Sequence, residues 1–403
     1  MALVRPSVRA LPRQFLIIHR NSSTNTFVKQ NNTRRQQKKS PLSGITVVSL
    51  EQAIAAPFCT RQLADLGARV IKIERPKVGD FARNYDTRVN GLSSHFVWTN
   101  RSKESLALDV KNPRDYHVLM RLLSCADVLV QNLAPGASAR LGLSFADLLE
   151  KHPSLIVCNI SGYGPDGPYR DKKAYDLLIQ SEAGLLSVTG TGTEPAKVGI
   201  SIADICAGCY AYSNILAALF EREKDPERRG RNIDISMLES MVEWMGFPMY
   251  YTYGDQPGPT LRAHRMRRSI RMDHSKRIVL EKPEMAMDER FCNNSLRVKN
   301  RAVLRETICN VFASYSAEGI LQRLDKADIA NASVNDMQGV WNHPQLRARQ
   351  RWTQIQTSAG TVPALFPPGM GPEGFEAQMG AVPEVGEHNE AILAELGIDT
   401  DLD

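Results

Sequence analysis

Short apolar runs alternate with longer amphipathic segments between residues 41 and 245. Short apolar runs bounded by turn residues are typical of buried strands, whereas apolar positions three or four residues apart predict helices. The sequence therefore predicts strands at Ile45–Leu50, Arg69–Glu74, Asp127–Gln131, Leu155–Ile160 and Asn232–Ile235. It predicts helices over 57–67, 112–124, 145–152, 203–223 and 237–245. This alternation of strands and helices is the pattern of an α/β fold.

The first three elements form a βαβ unit. Pro57 can occupy the first turn of the intervening helix, and Gly67 can end it. Such a unit predicts parallel strands joined by a right-handed crossover. It is not the dinucleotide-binding version, because no GxGxxG motif follows Leu50. The small-residue turn Glu51–Ala56 instead leads into a helix N-terminus, where free N–H groups favour a phosphate or an amide-rich ligand.

The stretch Val157–Leu186 carries the candidate chemistry. Its strand runs into the dense turn cluster SGYGPDGP, and functional residues collect in loops of this kind. A basic hinge, Arg170–Lys173, then leads to Asp176, which precedes an apolar segment. A partly desolvated carboxylate can attack an acyl group while backbone N–H groups hold the oxyanion. The same aspartate also suits a helix N-cap, so the residues alone leave both interpretations open.

The motifs of this stretch occur together in one known family. The run SGYGPDGPY, the pair YD, Gln180 and Ala183–Leu185 resemble the motif of the class III CoA-transferases, which move a CoA thioester between carboxylic acids. The resemblance implies that Asp176 is the nucleophile. It also implies that coenzyme A thioesters are substrates and that no cofactor or metal is permanently bound.

Further family-like segments lie on both sides of the turn cluster. QNLAPGASARLGL resembles an NFxPG…RLGL element, and GEHNEAILAELG resembles a C-terminal helix of the family. Guanidinium and ammonium groups suit the phosphates of the nucleotide. Without the resemblance, Arg75 and Lys103 would each more often be solvated surface charges. The resemblance assigns contacts with CoA to Ala53, Ile54, Ala55, Arg75, Lys103, Asn132 and Arg140.

The charge of the chain is concentrated at one end. The formal net charge is +6, but residues 1–40 contain nine Lys or Arg and no Asp or Glu, which leaves 41 basic and 44 acidic residues beyond them. Arg5, Arg9 and Arg13 would align on one face of a helix. An Arg-rich, acid-poor leader predicts a mitochondrial presequence and a location in the matrix. The alternative is a disordered basic tail that binds an acidic partner.

Seven scattered cysteines do not predict a disulfide framework. Cys206 and Cys209 form a CxxC, but they lie in an apolar helical run with neither a second pair nor a nearby His, which favours core thiols over a metal site. The mostly apolar segment Ala203–Glu223 is interrupted by Asp204 and Asn214, so the sequence predicts a buried helix and no membrane span.

The resemblance breaks after Pro257. Family members have a glycine-rich loop over the catalytic aspartate here, whereas this chain has no glycine from Pro259 to Glu318. The stretch Leu261–Arg277 carries seven Arg or Lys and two His instead. Three interpretations stay open: a basic, nucleic-acid-binding patch, a lineage-specific lid, or an incorrect gene model over 259–284. The last is favoured because family-like sequence resumes at Met287, and no nucleic-acid partner is expected.

The resemblance implies a Rossmann-like α/β fold with a largely parallel sheet. It implies a large CoA-binding domain (41–235), a linker and small α+β domain (236–330), and a return to the large domain (331–403), so that both chain ends form the large domain. Family members are interlaced homodimers, and the same is expected here. Within the family, the sequence most resembles the succinyl-CoA:glutarate CoA-transferases, which implies that succinyl-CoA is the donor and glutarate the acceptor.

Two other functions compete with this assignment. The 2-methylacyl-CoA racemases share the implied fold, but they place a histidine where this chain has Tyr175. A catalytically inactive CoA-binding or scaffold protein would account for the missing glycine loop. Replacing Asp176 distinguishes a transferase from a scaffold, because a transferase loses turnover and keeps affinity for CoA, whereas a scaffold has no turnover to lose.

Overall fold

A six-stranded sheet is the centre of the fold. The computed structural model describes residues 40–190, 194–254, 256, 285, 288–371 and 375–398. The sheet has the order β3-β2-β1-β4-β5-β6, and all five pairs of neighbouring strands are parallel. Its strands are β1 (Thr46–Leu50), β2 (Arg69–Glu74), β3 (Lys103–Ala107), β4 (Val128–Gln131), β5 (Ile156–Ser161) and β6 (Asn232–Ser236).

Some of the helices cover both faces of this sheet, which confirms the α/β prediction, and others lie in the second half of the chain. In chain order they are α1 (Ala55–Asp65), α2 (Ser94–Asn100), α3 (Pro113–Leu123), α4 (Ala137–Arg140), α5 (Phe145–Leu149), α6 (Asp176–Glu182), α7 (Ile202–Lys224), α8 (Met237–Trp244), α9 (Gly246–Tyr251), α10 (Asn294–Lys299), α11 (Arg301–Phe312), α12 (Ala317–Lys326), α13 (Met337–Trp341), α14 (Pro344–Ala348) and α15 (Asn389–Glu395).

The strands alternate between two apolar cores because successive side chains point to opposite faces of a sheet. Val47 belongs to the core that α1 and α7 cover, whereas its neighbour Val48 belongs to the core that α3 and α5 cover. The near-continuous apolar runs read from the sequence follow from this burial on both faces.

Helix α7 packs closely against α1. A Cβ atom added at Gly208 would lie 2.7 Å from the carbonyl oxygen of Ala55, so this approach requires glycine. By length and composition α7 could cross a membrane. Its residues Ala203, Ala207, Ala211 and Ile215 are nevertheless buried in the core, as expected for an internal helix.

A small antiparallel sheet follows near the C-terminus. It consists of β7 (Trp352–Thr357) and β8 (Gly360–Leu365), whose side chains form a separate core with Phe96, Val97 and Val382. After Ser236, which ends β6, the described residues up to 330 form helices and turns. The small sheet therefore lies within residues 331–403, which the resemblance assigned to the large domain.

The segment around α15 covers the outer edge of β3. The Ala107 N–H donates to Asn389 Oδ1 (2.8 Å), and the Ser105 N–H donates to the His388 ring (3.2 Å). The His388 N–H in turn donates to the Ser105 carbonyl at 3.1 Å. The C-terminal region therefore contributes to the large domain by satisfying an edge strand that would otherwise expose its backbone.

Two predictions lie outside the described residues. The leader falls on residues 1–39, and the basic stretch Leu261–Arg277 falls within 257–284.

Candidate active site

The carboxyl ends of the parallel strands meet at one edge of the large sheet. The strand order reverses between β1 and β4, and in open α/β sheets ligands bind in the crevice at this point. Ala53 and Ile54 lie in the loop after β1, and Ala55 begins α1. Arg75 follows β2, and Asn132 follows β4. Five of the residues predicted to contact the ligand therefore come together at this edge.

Asn132 holds the loop after β1 in place. Its Oδ1 accepts from the Gln52 N–H, and its Nδ2 donates to the Gln52 carbonyl, both at 2.9 Å. These two bonds join the loops after β1 and β4 in the way that a strand pair would. Asn132 therefore shapes the crevice through the backbone of Gln52.

The first turn of α1 offers free donors at the crevice. The N–H groups of Ile54, Ala55 and Ala56 have no acceptor among the described residues. Ile54 occupies the N-cap position, and its side chain makes no capping bond. Unpaired N–H groups and the helix dipole both favour an anionic or carbonyl ligand here.

Two of the residues predicted to contact CoA are exposed basic residues. Arg75 is exposed beside the end of β2, and Arg140 is exposed at the end of α4. Gly136 precedes α4 with φ +72°, and the Arg140 guanidinium lies over it, within 2.9 Å of where a Cβ would stand. Both guanidinium groups are accessible to a phosphate.

Lys103 is placed differently from the expectation that it meets a phosphate. It begins β3, at the opposite edge of the sheet, and its side chain is fully buried. Its ammonium group donates to Glu51 Oε1 (2.6 Å), the Pro57 carbonyl (3.0 Å) and Asn100 Oδ1 (3.1 Å). These bonds use all three ammonium hydrogens. Lys103 therefore stabilises the loop after β1 through its bonds to Glu51 and Pro57.

Asp176 does not cap its own helix. It is the first residue of α6, and the N-cap position belongs to Tyr175. Its Oδ1 accepts from the Ala203 N–H at 2.8 Å, and its Oδ2 accepts from Gln180 Nε2 at 2.7 Å. Because Ala203 lies in the first turn of α7, Asp176 satisfies a free donor of the neighbouring helix.

A second carboxylate stands next to Asp176. Asp204 is half-buried in the first turn of α7, and its carboxylate has no hydrogen-bond partner among the described residues. Desolvation, followed by the negative charge of Asp176, raises the pKa of Asp204 to about 7. Sequence analysis treated Asp204 only as a polar position in a buried helix. The available signal was an acidic residue in the first turn of a long apolar helix.

Tyr85 lies in the chain that follows β2. Burial raises the pKa of its phenol to about 12, and the charges of Asp80, Asp204 and Tyr175 act in the same direction. Its ring meets the His95 ring edge-on, with the centroids 5.3 Å apart.

The carboxylate pair lies beside the start of α1. Gly208, one turn after Asp204 in α7, approaches the Ala55 carbonyl so closely that a Cβ atom would not fit. The first turn of α7 therefore stands next to the crevice after β1.

The described residues contain no group of three or more His, Cys, Asp or Glu side chains that could hold a metal ion. Cys206, from the CxxC, is buried and donates to the Ser240 carbonyl at 2.9 Å.

The chain is similar to known proteins over most of its length. A family model described as CoA-transferase family III matches residues 42–274 and 272–389. A succinate–glutarate CoA-transferase of Agrobacterium fabrum is 29% identical over 395 residues, which cover 90% of this chain and 98% of that protein. An acetyl-CoA:oxalate CoA-transferase of Acetobacter aceti is 31% identical over 338 residues, covering 79% and 86% respectively.

A solved structure has the same architecture. A CAIB/BAIF family protein from Brucella suis superimposes with a TM-score of 0.77 and 29% identity, over 89% of this chain and 100% of that one.

Proposed function

The chain belongs to CoA-transferase family III, and from this premise we propose that it transfers CoA from succinyl-CoA to glutarate. Enzymes of this family use CoA thioesters as substrates and have no permanently bound cofactor. The observation that carries the proposal is the carboxylate pair Asp176 and Asp204, which stands beside a crevice lined by free N–H groups.

The proposed reaction proceeds in four steps. An aspartate oxygen attacks the thioester carbonyl of the donor, and CoA thiolate leaves to give a mixed anhydride. The thiolate then attacks the aspartyl carbonyl, which releases the donor acid and forms an aspartyl-CoA thioester. The acceptor carboxylate attacks this thioester and displaces CoA thiolate, and the thiolate finally attacks the acceptor carbonyl of the new anhydride and releases the free aspartate. Covalent catalysis conserves the thioester energy, provided that water is excluded.

Asp176 is the proposed attacking carboxylate. Its oxygens each accept one hydrogen bond, from the Ala203 N–H and from Gln180 Nε2. A carboxylate oxygen has two lone pairs, so each oxygen keeps one for attack on a carbonyl carbon, and the two donors fix the orientation of the carboxylate. Asp204 stands next to Asp176 and has no hydrogen bond among the described residues, which makes it the alternative nucleophile.

Turnover should depend on pH near neutrality. The pKa of Asp204 is raised from 3.8 to about 7, and protonation of Asp204 removes a negative charge beside the attacking carboxylate, so we expect kcat/KM to fall as the pH drops below 7. The stability of the fold should change in the opposite direction. Because the folded state favours the neutral form of Asp204, the free energy of unfolding should decrease as the pH rises from about 4 through 7. A kcat/KM profile from pH 5 to 9 tests this, and an acidic limb centred near pH 4 would contradict it.

The substrates can be tested with protein that lacks residues 1–39. We expect turnover with succinyl-CoA and glutarate, because the relative from Agrobacterium fabrum is named for this pair. Oxalate with acetyl-CoA serves as the comparison, because the relative from Acetobacter aceti is named for that pair. Preference for oxalate would reject the glutarate assignment. Deuterium incorporation at the α-carbon of 2-methylacyl-CoA without transfer would indicate a racemase, and no CoA binding would reject the enzyme altogether.

A homodimer is part of the proposal. The helices α8 and α9 expose large apolar side chains, including Trp244, Met249 and Tyr250. Exposed apolar clusters of this kind are typical of interaction sites. Light scattering coupled to size exclusion should give twice the mass of the chain, and a monomer at micromolar concentration would reject the dimer.

We also propose a location in the mitochondrial matrix. The support is the acid-poor leader in residues 1–40. Import into isolated mitochondria with cleavage of the leader is the expected result, and a chain that stays outside at full length would contradict it.

A further inference from the structure

The loop between β1 and α1 contains a strained residue. Ala53 has φ +64°, in the left-handed region that L-residues rarely adopt. For a residue other than glycine this conformation costs roughly 1–2 kcal/mol. Strain of this kind persists only where the surroundings impose it, and it collects at functional sites. The contacts that impose it are therefore informative.

Asp80 holds Ala53 in this conformation. Its Oδ1 accepts from the Ala53 N–H at 3.1 Å and from the Ala82 N–H at 2.9 Å. Its Oδ2 accepts from Lys72 Nζ at 2.8 Å. Asp80 is fully buried, and it reaches the loop from the chain that follows β2. The Asp80 carboxylate thus links the buried ammonium group of Lys72 to the strained backbone of Ala53.

Lys72 ties the same loop at its other end. Its ammonium group lies 3.3 Å from Glu51 Oε1, and both side chains are fully buried. Burial alone would raise the pKa of Glu51, but the charges of Lys103 and Lys72 outweigh it and lower the pKa to about 2. The described cluster thus sets the cations Lys72 and Lys103 against the anions Glu51 and Asp80, so that the buried charges balance.

We infer that Asp80 is a positioning residue for the acyl-CoA substrate, acting through the backbone of Ala53. The inference rests on the proposed function. By holding Ala53 at positive φ, Asp80 orients the free N–H groups of Ile54, Ala55 and Ala56 before the substrate arrives. A loop ordered in advance spares the substrate the entropic cost of ordering it, which strengthens binding.

The competing interpretation is that Asp80 only neutralises Lys72. Substitutions at Ala53 separate the two, because they leave the buried charges in place. Glycine adopts positive φ without strain, so Ala53→Gly should keep the loop conformation and bind more tightly than Ala53→Pro. Proline fixes φ near −65° and lacks the N–H that Asp80 accepts, so Ala53→Pro should lose the arrangement.

The test measures binding of free coenzyme A by titration calorimetry and the KM for succinyl-CoA. We expect Asp80→Ala and Ala53→Pro each to weaken binding and raise KM about tenfold, with kcat within threefold of wild type. In the Ala53→Gly background, Asp80→Ala should weaken binding only two- to threefold. Ser105→Ala is the matched control, because Ser105 bonds Glu74 in the same buried region without touching the loop. It should lower Tm and leave KM unchanged.

The outcomes separate this inference from the proposed function. Normal binding by Ala53→Pro, or an effect of Asp80→Ala that is equal in both backgrounds, overturns the inference while the transferase assignment stands. If Asp80→Ala does not fold, Ala53→Pro alone decides. Absence of coenzyme A binding by the wild-type protein overturns the proposed function. In that case hydrogen exchange at Ala53 still reports whether Asp80 holds the loop.

Discussion

Replacement of Asp176 by asparagine is expected to lower CoA transfer by about 10³-fold or more, because it removes the carboxylate that forms the covalent intermediate. Asp204→Asn should have a smaller effect, about 10- to 100-fold, because it removes the negative charge beside Asp176. It should also remove the acidic limb near pH 7, because that limb is assigned to the raised pKa of Asp204.

Trapping of the intermediate identifies the attacking residue directly. Protein incubated with succinyl-CoA and quenched with hydroxylamine should carry a hydroxamate on the peptide that contains Asp176. Asp204→Asn should keep this adduct, and Asp176→Asn should lose it. Asp171→Asn is the matched control, because Asp171 is an exposed carboxylate in the loop that precedes Asp176. A hydroxamate on Asp204 that persists in Asp176→Asn would make Asp204 the nucleophile.

Lys72→Ala is expected to reduce the free energy of unfolding by roughly 3–5 kcal/mol, because it leaves buried carboxylates without their partner. Lys72 is fully buried and contacts both Glu51 and Asp80. Removing one member of a buried ion pair is far more damaging than removing one on the surface. Urea unfolding monitored by circular dichroism measures the change.

The contrast for Lys72→Ala is an ion pair at the surface. Arg231→Ala breaks the pair with Glu221, in which both side chains are more than half exposed. Solvent screening makes the contribution of such a pair to stability small. Equal losses in the two variants would show that the buried cluster does not stabilise the fold.

Local patterns predicted the elements of the sheet. The strand Arg69–Glu74 has the predicted bounds, since its apolar run lies between Gly67 and Pro76. Ser144 caps α5, and Asp147 completes a capping box. Such features depend on neighbours in sequence. The strand order, in contrast, depends on contacts across the whole chain, and the sequence analysis did not predict it.

The site was harder to read because its residues are far apart in sequence. Asp176 begins α6, whereas Asp204 lies in the first turn of α7. Nothing in the local sequence indicates that the two carboxylates are neighbours. Lys103 reads as a surface cation in a charged stretch. Its burial arises only when Glu51 and Asn100 fold against it.

The attachment of α15 to β3 also bears on how the protein is made. Asn389, which bonds the N–H of Ala107, follows it by 282 residues in the chain. At about 5–20 residues per second, a ribosome needs roughly 15–60 s to add that length. Throughout this interval the nascent sheet has an uncovered edge, which is a site for chaperone binding and for aggregation. Completion of the large domain is therefore a late event of synthesis, and chains that stop before Gly386 should accumulate as insoluble fragments.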